Sequence, residues 1–273
     1  MALVYLFTVI VIFSVSNNNF CFCFNPKLFY NVSKVQSETD WSPARATWYG
    51  PDNGAGSNGG ACGYKDAVEQ VPFSSMVSAG GHSLFKSGKG CGACYEVKCT
   101  NNVNAKCSEN PVSVVITDEC PGGTCASDSV HFDLSGASFG AMATSGQSDP
   151  LRNAGVMQIQ YRRVECNYRD TNVVFSIDSG SNLYYFAVLI KYINGDGNLA
   201  GVDLQQTSQS NTWLPMQQSW GAIWKLDAGS ALNAPFSLRL TSAESRKTIV
   251  ANNVIPAGWQ AGQTYQSLVN FDV

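Results

Sequence analysis

The chain has 273 residues, a net charge of −3 and only 14% charged residues. No block of like charge appears, which argues against nucleic acid and acidic membrane surfaces as partners. The length leaves room for two domains.

Residues 2–15 are almost entirely apolar. That is too short to span a bilayer and the right length for the core of a signal peptide. Asn17 to Asn19 end the run, and Cys21-Phe22-Cys23 offers small residues at the −3 and −1 positions of a cleavage site. The expectation is a signal peptide over 1–23, secretion, and no transmembrane anchor, since no second long apolar run follows. Residues 24–41 read as a polar leader, with a glycosylation acceptor at Asn31 in Asn31-Val32-Ser33.

With Cys21 and Cys23 removed, eight cysteines remain, all before residue 167: Cys62, Cys91, Cys94, Cys99, Cys107, Cys120, Cys125 and Cys166. An even set in one half of a secreted chain is a disulfide framework. Cys91-Gly92-Ala93-Cys94 also has the spacing of a zinc or redox motif. The two histidines, His82 and His131, are poorly spaced to complete a zinc site. No metal and no cofactor are therefore expected.

A first domain is expected over 42–168. Ala44 to Gly50 alternates like a strand, and a glycine-rich loop follows from Gly54 to Cys62. A phosphate loop would continue into Lys-Ser/Thr and a helix. Neither is present, so the loop reads as close backbone packing beside a groove. Strands are expected over 94–99, 112–117 and 156–164, each with one buried and one wet face. Between them, Thr117-Asp118-Glu119-Cys120 and His131-Phe132-Asp133 set ionisable side chains among β-branched and aromatic residues. Such carboxylates can act on a glycan as acid, base or hydrogen-bond clamp. The same residues also read as a turn at Asp118 and as the cap, at Asp133, of a short helix over about 135–143. If 131–133 is strand instead, His131 and Asp133 share a face. Many short strands with one small helix suggest a closed barrel.

Residues 172–273 contain no cysteine. Strands are expected over 173–177, 185–192, 202–205, 222–226, 236–240 and 247–251, with a turn at Asn194-Gly195-Asp196-Gly197. This regular spacing suggests a β-sandwich. Period-2 counting puts Trp220 and Trp224 on one face. Trp213, Trp224 and Trp259 are expected in the core, and His82 in a loop. A neutral polymer with flat faces for aromatic stacking suits the low charge.

Taken in order, Thr47-Trp48-Tyr49-Gly50, Gly59-Gly60-Ala61-Cys62-Gly63, Gly90-Cys91-Gly92-Ala93-Cys94-Tyr95, Ile116-Thr117-Asp118, His131-Phe132-Asp133-Leu134-Ser135, Arg162-Arg163-Val164 and Ser219-Trp220-Gly221-Ala222-Ile223-Trp224 resemble a plant expansin, and within that family a β-expansin. The resemblance covers nearly the whole mature chain. It implies an all-β protein, a six-stranded double-psi β-barrel followed by an immunoglobulin-like carbohydrate-binding β-sandwich. It also implies disulfides Cys62–Cys91, Cys94–Cys166, Cys99–Cys107 and, by what is left, Cys120–Cys125.

The first domain is also similar to family 45 endoglucanases. That resemblance makes Asp133 the general acid and puts Pro51 at the position of the base, with Asp52 one place later. In an extended segment Asp52 would face the other way. An inverting glycosidase needs both carboxyls, roughly 6.5–9.5 Å apart. Asp118 is a possible substitute base, a role the resemblance does not assign. The resemblance therefore implies a non-enzymatic, monomeric, secreted protein of the plant cell wall. It would bind cellulose and a matrix polysaccharide, xylan or mixed-linkage glucan, and loosen the wall without hydrolysis. Thr47, Trp48, Tyr49, Asp118, His131 and Asp133 would grip a glucan in the barrel groove, and Tyr185 and Trp220 would form a stacking platform. Two rival readings are an endoglucanase with a displaced base and a passive wall-binding protein.

Overall fold

The computed structural model describes residues 41–206 and 212–273. The expected signal peptide, the leader up to residue 40 and Asn31 lie outside the described residues. Among the described residues, no helix is long and apolar enough to cross a membrane.

Six strands close a barrel: β1 (Ser42–Tyr49), β2 (Val77–Gly80), β3 (Cys94–Lys98), β4 (Val112–Glu119), β5 (His131–Ser135) and β6 (Met157–Arg163). Around the barrel the order is β1-β5-β2-β4-β3-β6. β1 runs parallel to β5, and β2 parallel to β4. Alternation decides what each side chain meets. Ala44 and Ala46 of β1 and Phe132 and Leu134 of β5 point inward and are buried in the barrel core. Each fully buried Phe or Leu contributes roughly 1.5–3 kcal/mol. The intervening Arg45, Thr47, His131 and Asp133 therefore share the outward face.

The segment 131–135 is strand, so Asp133 is not a helix cap. The cap is Ser135, whose hydroxyl accepts from the Ser138 amide at 3.0 Å. Four short helices, α1 (His82–Phe85), α2 (Thr124–Ser127), α3 (Gly136–Ala141) and α4 (Ser148–Arg152), cover the barrel ends. His82 opens α1 rather than lying in a loop, and it is exposed. The disulfides are Cys62–Cys91, Cys94–Cys166, Cys99–Cys107 and Cys120–Cys125, the pairings the resemblance implies.

The second half is a sandwich of two antiparallel sheets. One contains β9 (Leu199–Gln206), β10 (Leu214–Pro215), β13 (Phe236–Ser242) and β14 (Thr248–Ile255). The other contains β7 (Val174–Ile177), β8 (Tyr185–Lys191), β11 (Gln217–Trp220), β12 (Ile223–Asp227) and β15 (Thr264–Gln266). Phe175, Phe186, Val188, Trp224, Phe236 and Leu238 fill the space between them, and Trp259 packs against this core. Trp213 does not. It is half-buried, and the Arg239 guanidinium lies 4.7 Å from its ring. Outward-facing Asp203 holds that Arg239 at 3.0 Å, so Trp213 belongs to a polar cluster on the sheet.

The barrel and the sandwich lie in one compact unit. A continuous apolar seam joins them: Cys62, Tyr64, Phe73 and Cys166 meet Ala187, Leu189, Ala222 and Ile223. The Ala222 amide donates to the Cys62 carbonyl at 3.0 Å. Gly221 sits at φ +50°, and a Cβ there would come within 2.5 Å of the Ala61 carbonyl oxygen. Arg163, at the end of β6, donates to the Asp196 carbonyl at 2.5 Å and to Asn198 Oδ1 at 2.9 Å, tying the barrel to the 194–198 turn.

Candidate functional site

The parallel register of β1 and β5 sets Arg45 beside His131 and Thr47 beside Asp133. On the outward face these four side chains form one chain of contacts. Arg45 donates to Asp128 Oδ1 at 2.9 Å. Asp128 Oδ2 is 2.7 Å from His131 Nδ1, and His131 Nε2 is 2.9 Å from Thr47 Oγ1. Thr47 donates to Asp133 Oδ1 at 2.6 Å. His131 is fully buried, with Gly81 packed against its Cβ side, while Asp133 stays half-buried. The sulfurs of Cys120–Cys125 and a carboxylate oxygen of Asp133 lie within 4.8 Å of one another. Those cysteines are joined as a disulfide and have no thiolate to offer a metal.

Burial pushes the Asp133 carboxyl above the usual carboxylate range. The Thr47 hydroxyl and the His131 charge draw it back, and the Asp118 charge adds a small upward push. Asp128 goes the other way: its hydrogen bond with His131, helped by Arg45, holds it below the usual range against some desolvation.

Asp118 closes β4. It anchors the glycine-rich loop, accepting from the Ala61 amide at 2.6 Å, the Glu119 amide at 2.8 Å and the Ser57 hydroxyl at 2.9 Å. Both its oxygens are engaged in holding that loop. Tyr49 lies on the same side of β1 as Thr47, and its ring fills the space above Gly56, where a Cβ would approach within 2.3 Å. Burial first, then the Asp118 charge, push its phenol well up, and a hydrogen bond with Ser57 opposes them.

Trp48 is not with this group. Alternation turns it to the opposite side, where its indole packs on the barrel core and donates to the Arg152 carbonyl at 3.0 Å. The chain is not extended beyond Tyr49. Gly50 takes φ +76° and the Gly54 amide closes a turn onto Pro51 O at 3.1 Å. Asp52 in that turn is exposed, with its carbonyl held by Arg152 at 2.5 Å.

On the sandwich, Trp220 ends β11 and is 50% exposed, whereas Trp224 is 7% exposed inside the core. Period-2 counting across 220–224 fails because the chain turns at Gly221 and Ala222 into a second strand, with a register shift between Gln218 and Trp220. Trp220 leans on the barrel: a Cβ on Gly63 would lie 2.9 Å from its ring. Tyr185 is half-buried at the start of β8, on the sheet face that carries Ala187 and Leu189 to the seam. That face continues past the seam to Trp220, so both aromatics lie along the barrel side of the sandwich.

Sequence reasoning missed Asp128 and Ser57. Asp128 had a weak signal, a carboxylate three residues before a histidine. Ser57 had none, because its partner Asp118 is 61 residues away.

The Expansin C-terminal domain profile matches residues 173–256, and the lytic transglycolase profile matches residues 77–161, within the barrel half. An expansin-B2 of Arabidopsis thaliana is 61% identical over 253 residues, covering 93% of this chain and 91% of that protein. The chain belongs to the expansin family. Its relatives place it in the β-expansin branch: expansin-B11 of Oryza sativa subsp. japonica is 59% identical over 239 residues, covering 87% of this chain and 80% of that protein. The fold of this expansin is also that of a bacterial one. The apo expansin of Clavibacter michiganensis matches with a TM-score of 0.64 at 20% identity, covering 86% of this chain and all of that one. A mutant of the same bacterial protein in complex with cellohexaose matches with a TM-score of 0.64 at 19% identity.

Proposed function

We propose that this expansin is a secreted protein of the plant cell wall that binds cellulose and matrix glucans along its barrel and sandwich and weakens their non-covalent adhesion without hydrolysis. The observation that carries this reading is the exposed Trp220 ring resting on Gly63 of the barrel. It makes one surface of the aromatic face of the sandwich and the loop next to the Asp118 anchor. Sugar rings present C–H faces that stack on flat aromatics, while polar groups at the rim take the hydroxyls. Trp220 and Tyr185 supply the stacking side; Thr47, Asp133 and Tyr49 supply the polar side. The cellohexaose complex of the bacterial protein supports a β-linked glucan as ligand.

The non-hydrolytic reading rests on the second carboxyl. Burial shifts the Asp133 carboxyl above the usual carboxylate range, the direction a proton donor to a glycan needs. Pro51 cannot serve as base, exposed Asp52 lies in a turn, and Asp118 spends both oxygens on the glycine-rich loop. Trp48, facing the barrel core, is left out of the polar group. One observation favours hydrolysis or a related lyase step: the lytic transglycolase profile matches residues 77–161 of the barrel, which include Asp118 and Asp133. Creep of a heat-killed wall strip under constant load, with released sugars assayed in parallel, separates the readings. Creep without sugar release supports loosening. Sustained release lost in Asp133→Asn replaces it with an enzyme, and wall binding without creep replaces it with a passive binder.

A further inference from the structure

Thr47 has one hydroxyl proton and two partners, and this restricts where protons can reside. With Asp133 ionised, Thr47 gives that proton to Oδ1 at 2.6 Å. Its oxygen can then only accept, so His131 Nε2 at 2.9 Å must carry a proton and donate it. On the other side of the ring, Asp128 Oδ2 accepts from Nδ1 at 2.7 Å. Arg45 at 2.9 Å on Oδ1 keeps Asp128 a carboxylate. A cavity of about 410 Å3 lined by Arg45, Asp128 and Gln158 gives that end contact with water. Both nitrogens of the buried ring are then protonated, and an imidazolium sits between two carboxylates.

A single concerted move leads to the other fully bonded arrangement. The Nε2 proton passes to the Thr47 oxygen as the Thr47 proton passes to Asp133 Oδ1. His131 becomes neutral with Nε2 accepting, and Asp133 becomes a neutral acid donating to Thr47. Atoms and charge balance, with one proton relocated. A neutral His131 beside an ionised Asp133 leaves two acceptors facing each other across one contact, which costs a buried hydrogen bond.

We infer that Asp128 is a positioning residue, which acts through His131 and Thr47 to decide whether the shared proton rests on the imidazole or on the Asp133 carboxyl that faces the polysaccharide. The last clause rests on the reading of Asp133 given above; the relay itself does not. The charged groups facing the relay are Arg45 and Asp128 at one end and Asp118 at the other. An anionic Asp128 favours the imidazolium and an ionised Asp133. Asn at 128 removes the charge; with its amide oxygen toward Nδ1 and its amide nitrogen displacing the half-exposed Arg45 into water, the ring keeps its Nδ1 proton and the shared proton should move to Asp133.

The chain has only two histidines, so nitrogen spectra of labelled full-length mature protein resolve His131 against exposed His82. At one fixed pH near neutral, the wild type should show both His131 nitrogens protonated and the Asp133 carboxyl carbon ionised. Asp128→Asn should show Nε2 unprotonated and Asp133 neutral. Asp133→Asn tests the link from the other end. Its amide can turn oxygen or nitrogen to Thr47, and loss of the anion beside the imidazolium favours the arrangement in which Asn donates to Thr47 and Thr47 to Nε2, so the Nε2 proton should again be lost. In Thr47→Val, Asp128→Asn should change His131 and leave Asp133 as it was. A wild-type His131 with bare Nε2 beside an ionised Asp133 overturns the inference, as does an Asp128→Asn variant whose His131 keeps both protons. Wall creep by folded Asp128→Asn is read separately. Loss of creep with unchanged cellulose binding supports the positioning role. Normal creep together with the predicted spectra leaves the relay standing and removes Asp133 from the working site.

Discussion

Two tryptophans four residues apart should behave in opposite ways when truncated. Trp224 is 7% exposed and packs with Phe186, Phe236 and Leu238 between the sheets. Trp→Ala at such a site loses the transfer free energy and leaves a cavity, about 3–5 kcal/mol. For a chain of this size 1 kcal/mol shifts Tm by roughly 2–4 °C, so Trp224→Ala should melt about 10 °C lower. Trp220 is half exposed and lies over Gly63 beside Ile223, outside the packed core between the sheets. Its loss should move Tm by no more than about 2 °C. It should instead cost about 1 kcal/mol of stacking per sugar contact, close to a fivefold rise in Kd for insoluble cellulose. Calorimetry on both variants, with adsorption isotherms on cellulose, gives the two numbers. If Trp220→Ala loses its cooperative melt, or binds cellulose as tightly as the wild type, the division into core and platform is wrong.

Asp133→Asn should abolish most wall creep with cellulose binding retained, because the sandwich aromatics are untouched. Since burial raises the folded pKa of Asp133, the native state binds its proton more tightly than the unfolded chain. Its ionisation therefore costs stability as pH rises through that window. The Asn variant should consequently show a flatter fall of Tm over that pH range, and a steeper one would refute the assignment. Gly63→Ala puts a methyl 2.9 Å from the Trp220 ring at φ +82°, so it should weaken cellulose binding as Trp220→Ala does and also lower Tm. Among the disulfides, Cys94–Cys166 closes 72 residues and Cys120–Cys125 closes 5. Removing the first pair should cost about 4 kcal/mol and the second about 2 kcal/mol, read from denaturant midpoints; equal losses would count against the loop-closure argument.

How much of this was legible in the chain follows from how local each signal is. Alternation over 94–98, 112–117 and 157–163 marks strands, because burial on one face needs a period of two whatever the partner strand is, while 185–191 reads as a strand from a continuous apolar run between turn signals. The cysteine-free second half and the expansin motifs point to barrel and sandwich before any contact is known. Val77–Gly80 carries no such mark: Val-Ser-Ala-Gly is buried on both faces, so nothing alternates. His131 to Ser135 could be read as strand or helix start, and only pairing with β1 and β2 makes it strand. Trp220 and Trp224 were separable only by a turn whose glycine is demanded by the Ala61 carbonyl across the seam. The site divides in the same way. The sequence names Asp118, His131 and Asp133 as polar residues on a strand scaffold, and the expansin motifs add Thr47. That Thr47 touches both His131 and Asp133 depends on parallel pairing between segments more than 80 residues apart. No local pattern encodes that register; it is set by which faces the closed barrel can bury.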